Sequence, residues 1–328
     1  MDEVGAPQRL VLVTGATGFV GTALYAVLTS AGYHVRRALR TSSSARISDT
    51  VVGDIHGDTA WKAALEGVDT IVHLAARTHV IDDRAEDPLA AYRRINVSGT
   101  RNLVDQAVEA GVRRLVFMSS IKVNGEETLG AAFRETDTPR PEDAYGITKL
   151  EAEELLRARE RESGLELVTL RPPLVYGPGA KGNLLRLMRL VGRGVPLPFG
   201  SIKNSRSLVG VGNLADAIVA CVRSPQAAGR TYVVSDGEDL STPVLVRMLA
   251  TALNVKARLV RCPVALLEAA GALTGKTAEV TRLTRSLEVD SSSIRRELAW
   301  APPHPVARGL AEMGRWYNAQ FCARAIAE

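Results

Sequence analysis

Tyr145 and Lys149 stand four residues apart in Tyr145-Gly-Ile-Thr-Lys149, and Ser120 lies 25 positions before the tyrosine. Residues i and i+4 of a helix share a face, so the ammonium stands one turn from the phenol. A nearby positive charge stabilises phenolate and draws the tyrosine pKa from about 10 toward the working range. Such a phenol can exchange a proton with a substrate hydroxyl or carbonyl oxygen while hydride passes to or from a nicotinamide. The same pair on an ordinary surface helix does nothing, so the rest of the chain decides its meaning.

The chain supplies a place for a dinucleotide. Leu10-Val-Leu-Val-Thr-Gly15-Ala-Thr-Gly18-Phe-Val-Gly21 sets three glycines between a strand and a helix. Gly15 permits the tight turn, Gly18 lets backbone N–H groups approach a pyrophosphate, and Gly21 lets the helix pack closely. Thr17, Phe19 and Val20 complete the loop on the cofactor. The spacing is GxxGxxG rather than the GxGxxG of the ordinary fingerprint.

At the end of the second strand an Asp or Glu would bind a ribose 2′-OH. Here Arg36, Arg37, Arg40 and Arg46 stand in a stretch from His34 to Arg46 that has no acid. This predicts a 2′-phosphate held by Arg40, just beyond the strand, and NADP(H) in preference to NAD(H). A solvated basic surface is the plainer alternative.

Alternating elements must position these groups. Apolar runs at Leu10–Val13, Tyr33–Leu39, Thr50–Gly53, Thr70–Leu74, Arg114–Met118 and Leu165–Leu170 read as strands. Helical patterns occupy Phe19–Ser30, Pro88–Ala110 and Ala144–Ser163 between them. This predicts an α/β fold, a doubly wound parallel sheet of Rossmann type. After Arg171-Pro-Pro173 Gly and Pro crowd in, and from Pro243 helices dominate. The expected division is a dinucleotide-binding domain over 1–170 and a smaller, mostly helical substrate domain over 171–328, with segments able to cross back to the sheet.

Composition narrows the classes. With 328 residues, 46% hydrophobic and 23% charged, the chain is ordinary globular material, not a disordered or fibrous one. Three scattered cysteines make neither a disulfide framework nor a CxxC metal site. No metal site is expected: His73 reads as a packed histidine, and His79 as a border of the substrate pocket. The net charge of +5 suits small anions; no nucleic-acid module is visible. The apolar run from Val264 to Thr274 is far short of a bilayer span. A cytoplasmic protein with no membrane partner is expected.

Taken in order, GxxGxxG, Gly53-Asp54, His73-Leu-Ala-Ala76, Asn96-Val-Ser-Gly-Thr100, Ser119-Ser120, the Tyr145/Lys149 pair and Arg171-Pro-Pro-Leu-Val-Tyr-Gly-Pro178 resemble the extended short-chain dehydrogenase/reductases. The likeness covers nearly the whole chain and points to their NAD-dependent epimerase/dehydratase branch. It implies that Lys149 holds the nicotinamide ribose and Ser120 hydrogen-bonds the reacting oxygen. It also implies that Asp54 and Ile55 meet the adenine, Leu74, Ala75, Ala76 and Ser119 line the cofactor, Asn96 supports the sheet, and Pro172 and Val175 flank the nicotinamide. Arg206 would grip a nucleotide diphosphate, with Asn183 beside it and Arg282 as a second clamp.

The family's dehydratases carry Thr-Asp-Glu where this chain has Ser120-Ile121-Lys122, which argues against dehydration. The leading expectation is NADPH-dependent reduction of the C4 keto group of a UDP-4-keto-6-deoxy-N-acetylhexosamine, in nucleotide-sugar synthesis for surface polysaccharide. A UDP-hexose C4 epimerase using NAD is the alternative, and a non-catalytic cofactor-sensing protein is the third. The family's habit of pairing helices implies a homodimer through Pro88–Ala110 and Ala144–Ser163.

Overall fold

The structure is a computed structural model and describes residues 9–42, 45–78 and 86–322. In chain order its first half runs β1 (Leu10–Thr14), α1 (Phe19–Ser30), β2 (His34–Leu39), β3 (Thr50–Val51), α2 (Lys62–Leu65), β4 (Thr70–His73), α3 (Pro88–Arg93), α4 (Thr100–Glu109), β5 (Arg114–Met118), α5 (Ala144–Ser163) and β6 (Glu166–Arg171). The second half runs β7 (Leu174–Tyr176), α6 (Gly182–Gly192), β8 (Leu208–Gly210), α7 (Val211–Arg223), β9 (Arg230–Val233), α8 (Thr242–Ala252), α9 (Val264–Leu273), α10 (Thr277–Thr284), α11 (Ser292–Leu298) and α12 (Val306–Tyr317).

Seven strands form one parallel sheet in the order β3-β2-β1-β4-β5-β6-β9. The order reverses direction at β1, the switch point where doubly wound sheets open a crevice at their carboxyl ends. Alternation along β1 sends Val11 and Val13 to one face and Leu12 to the other. The first face packs on Leu24 and Leu28 of α1 and on Leu214, Ile218 and Cys221 of α7. The second packs on Trp61, on Leu103 and Val104 of α4, and on Ala152 and Leu156 of α5. A third cluster joins Leu184 and Met188 of α6, Val246 and Leu249 of α8, and Leu310 and Met313 of α12.

Segments beyond residue 170 do cross back: β9 and α7 complete the main sheet and its cover, while β7 and β8 make a separate parallel pair. The helix expected over Pro88–Ala110 is continuous but changes gauge, with a π-helical turn over Arg94–Gly99 between α3 and α4. Gly99 lies against Ile55 there; a Cβ would come within 2.7 Å of the Ile55 side chain.

Candidate active site

The glycine loop links β1 to α1 as its spacing requires. Gly15 has φ +66°, and a Cβ on it would lie 2.8 Å from the Ala75 amide nitrogen at the end of β4. A Cβ on Gly21 would lie 2.2 Å from the Gly15 carbonyl oxygen, so α1 can sit this close only with glycine there. Thr17 and Gly18 are exposed, and Phe19 and Val20 are half-buried in the first turn. α1 opens at Gly18 without a side-chain cap, which leaves its first-turn amides directed out of the helix end. That bare, Cβ-free cradle fits a pyrophosphate, and the residues present accept a dinucleotide.

The arginine run does not act together. Arg36 donates to the carbonyls of Ala64 and Glu66 at 2.9 and 2.7 Å. Arg37 donates to Asp49 Oδ1 at 3.0 Å through Nε and pairs with Oδ2 through its guanidinium, holding the Asp49 carboxyl below its ordinary range. Arg46 lies 5.1 Å from the centre of the Tyr25 ring and donates to its hydroxyl. Arg40 is 78% exposed at the strand end, where it pairs with Asp54 at 3.0 Å. Three of the four cations that suggested a 2′-phosphate are thus consumed by this chain's own carbonyls, carboxylate and ring.

β4 ends in His73, wedged between Thr14 Oγ1 at 2.7 Å and Thr100 Oγ1 at 3.0 Å. Burial lowers its pKa to about 3, with Lys149 adding to the effect, so it is a neutral packed histidine. Leu74, Ala75 and Ala76 follow half-exposed, with the Ala75 amide donating to Thr14 Oγ1. Asn96 fastens the next stretch: its amide exchanges hydrogen bonds with the Arg77 backbone at 2.8 and 3.1 Å and donates to Thr148 of α5 at 3.1 Å. His79 lies outside the described residues.

α5 begins at Asp143, whose carboxylate accepts from the Gly146 amide, and stops at Gly164 in the left-handed region with φ 73°. Tyr145 stands in its first turn, half-buried, edge-on to Tyr92 with ring centres 6.4 Å apart. Ser120 shares a hydrogen bond with the phenol. Burial pushes the phenol well above its ordinary value, with the Asp143 charge adding to this and Ser120 opposing it. Lys149 is buried; its ammonium donates to the Met118 carbonyl at 2.7 Å and sits 4.5 Å from the centre of the Phe117 ring. Burial lowers its pKa to about 7, with Glu153 opposing.

The expectation that Lys149 draws the Tyr145 pKa down is therefore corrected. The ammonium lies 5.9 Å from the tyrosine ring centre and is engaged on a carbonyl, and burial weakens its own charge. The resting phenol is protonated.

Sequence reasoning missed the group beneath this pair. Glu153 is fully buried, and Arg171 at the end of β6 donates to it through Nε at 2.9 Å and Nη2 at 2.6 Å. Ser119 donates to the same carboxylate at 2.5 Å, and Arg171 also donates to Asn124 at 3.0 Å. The bracket joins the ends of β5 and β6 to α5, on either side of Ser120 and Pro172. A signal existed: Tyr145, Lys149 and Glu153 fall at i, i+4 and i+8 on one helical face. The Ser119 side chain thus faces the bracket, while Pro172 is buried and Val175 half-buried.

On the other side, burial lowers the Arg206 guanidinium below its ordinary value; Glu126 opposes this and Arg282 adds to it. Arg206 donates to the Arg285 carbonyl at 3.0 Å. The Arg282 charge thus acts on Arg206, and a planar guanidinium is suited to bidentate contact with a phosphate. Asn183 is exposed in the first turn of α6. Ile55 is half-buried against Gly99, and Asp54 is exposed. Ile121 is buried, and Lys122 is paired with both Glu126 and Asp143.

The pattern of the NAD dependent epimerase/dehydratase family matches residues 11–235. The UDP-glucose 4-epimerase of Vibrio cholerae is 46% identical over 308 residues, covering 92% of this chain and 93% of its own. A dTDP-glucose 4,6-dehydratase of Streptomyces griseus is 32% identical over 94% of this chain and 93% of its own. Among solved structures, MoeE5 in complex with UDP-glucuronic acid and NAD superposes with a TM-score of 0.77 at 27% identity, over 95% of this chain and 99% of that one.

Proposed function

The chain belongs to the NAD-dependent epimerase/dehydratase family, and from that premise we propose that it interconverts UDP-hexoses at C4 with NAD as cofactor. Its activity is of the UDP-sugar epimerase or dehydratase type. Dehydration would need a carboxyl pair after Ser120, and that place holds buried Ile121 and a Lys122 already neutralised by two acids. One-way reduction rested on an arginine run selecting exchangeable NADPH. The fate of that run, three of its four cations spent on this chain, is the observation that carries the epimerase reading. The NADPH preference then rests on Arg40 alone, exposed at the strand end and paired with Asp54. The intact Ser120, Tyr145 and Lys149 speak against a non-catalytic sensor.

NAD, when bound, supplies a hydride acceptor and donor for C4. With its own proton first released, Tyr145 would take the proton from O4 and later return it to the C4 carbonyl oxygen, while C4 would exchange hydride with bound NAD, so no net oxidation would result. Ser120 orients O4 through the contact it now makes with the phenol. Lys149 would hold the nicotinamide ribose from the turn beyond Tyr145. Arg206 and Arg282 keep the diphosphate in place while either sugar face is presented. The helices of α3, α4 and α5 form the homodimer surface of this reading. One observation favours keto reduction: a protonated phenol is the proton-donating form.

The deciding experiment incubates the protein with UDP-glucose or UDP-galactose and no added nicotinamide. The expected outcome is a mixture of both sugars, NAD co-purifying with the protein, and no net reduced cofactor. Stoichiometric NADPH oxidation by a UDP-4-keto-6-deoxy-N-acetylhexosamine, without interconversion, overturns the reading. Arg206→Ala is expected to raise KM about tenfold to a hundredfold with kcat little changed, as loss of a charge-assisted contact made throughout the reaction would do. An unchanged KM removes Arg206 from the diphosphate seat.

A further inference from the structure

The apolar run that the sequence reading set aside is α9, and the structure turns its apolar side outward. Leu266, Ala269, Ala270 and Leu273 fall at i, i+3, i+4 and i+7, a single helical stripe. All four are exposed, Leu266 at 60% and Leu273 at 89%. The opposite side meets α10 at buried Gly271, where a Cβ would come within 2.8 Å of Val280. The only charge on the helix, Glu268, is taken by Arg285 at 3.0 Å. A surface helix ordinarily does the reverse, and an exposed apolar stripe marks a contact surface.

We propose that α9 docks this chain onto an anionic lipid surface, with its leucine stripe in the headgroup boundary. The charges around it select that occupant. Arg261 lies three residues before α9 and Lys276 three residues after it; both are exposed and have no acidic partner among the described residues. Lys256 and Arg258, on the segment leading in, share those properties. The hairpin's acids are occupied, Glu268 by Arg285 and Glu279 by Arg186 at 4.0 Å. Flanking cations of this kind would be drawn to anionic headgroups and bring the apolar stripe to the acyl boundary. At 10 residues α9 is about 15 Å long, half the hydrocarbon thickness, so it lies along the surface and does not cross. A second copy of the chain suits the stripe less well. A two-fold, antiparallel pairing of α9 would set Arg261 of each copy against Lys276 of the other.

The docking is independent of the reaction proposed above. It revises the expectation of no membrane partner, which considered only spanning. The test sediments the full chain with vesicles of phosphatidylcholine alone and of phosphatidylcholine carrying about one part in three phosphatidylglycerol. Binding is expected to the anionic vesicles and to weaken with added salt. Leu266→Glu with Leu273→Glu is expected to reduce it at least tenfold. Arg261→Gln and Lys276→Gln are each expected to reduce it about fivefold. Melting temperature and turnover of soluble UDP-hexose should not change. Absence of binding, or equal binding of wild type and variants, overturns the proposal. A concentration-dependent dimer that the leucine variant abolishes also overturns it and assigns the stripe to a second copy. Should the leucine variant fail to fold, the two glutamine variants decide alone.

Discussion

Replacing Tyr145 by Phe is expected to leave a folded protein that still binds NAD and turns over UDP-hexose about 10²–10⁴-fold more slowly, the usual worth of a positioned acid–base group. The substitution removes one oxygen and keeps the ring that packs edge-on against Tyr92. Ser120 loses its phenolic partner but still accepts from the Lys122 amide at 3.3 Å, so the turn over Ile121–Val123 keeps its cap. Initial rates, a melting curve and an NAD titration check the three parts together. Activity near that of the wild type would show that another group moves the proton.

Lys149→Met is expected to abolish turnover and yet stabilise the fold below neutral pH. Lys149 has its folded pKa lowered to about 7 by burial, below the ordinary lysine value of about 10.4. Between those values the unfolded chain binds more protons than the folded one, so the native protein gains stability as pH rises through that window. Below about pH 7 the folded state carries the full penalty of a buried ammonium, on the order of 4 kcal/mol. Methionine removes that penalty and forfeits the hydrogen bond to Met118, worth about 1 kcal/mol. The variant should therefore melt higher than the wild type near pH 6, with the advantage fading toward pH 10. An equal difference at both ends would show that Lys149 does not titrate in the fold.

The sequence made legible what short-range patterns encode. Ala144–Ser163 was bounded correctly because Asp143 caps its start and Gly164 takes the left-handed conformation at its end. Gly15 and Gly21 announced close approaches that no other residue can make. Long-range pairing was not legible. Nothing near Arg36 in the chain shows that the Ala64 and Glu66 carbonyls will take it, and nothing near Arg37 separates pairing with Asp49 from a free cation. A charge count along a strand end therefore overstated the positive field a 2′-phosphate would meet. The Glu153–Arg171 bracket stayed hidden for a different reason: a buried carboxylate and a solvated one look alike until the strand carrying its arginine is placed.

The π-helical turn over Arg94–Gly99 has a consequence for how this chain can vary in length. Such a turn takes up one residue more than an ordinary helical turn, so deleting one residue there would restore ordinary winding and leave α4 facing the core with Leu103 and Val104. What would be lost is local: Asn96, inside the turn, would shift away from Arg77 and Thr148. A deletion within α4 has no such turn to absorb it and would rotate the rest of that helix by about 100°. The turn is thus one residue of slack, placed where the chain needs Asn96 to reach both neighbours.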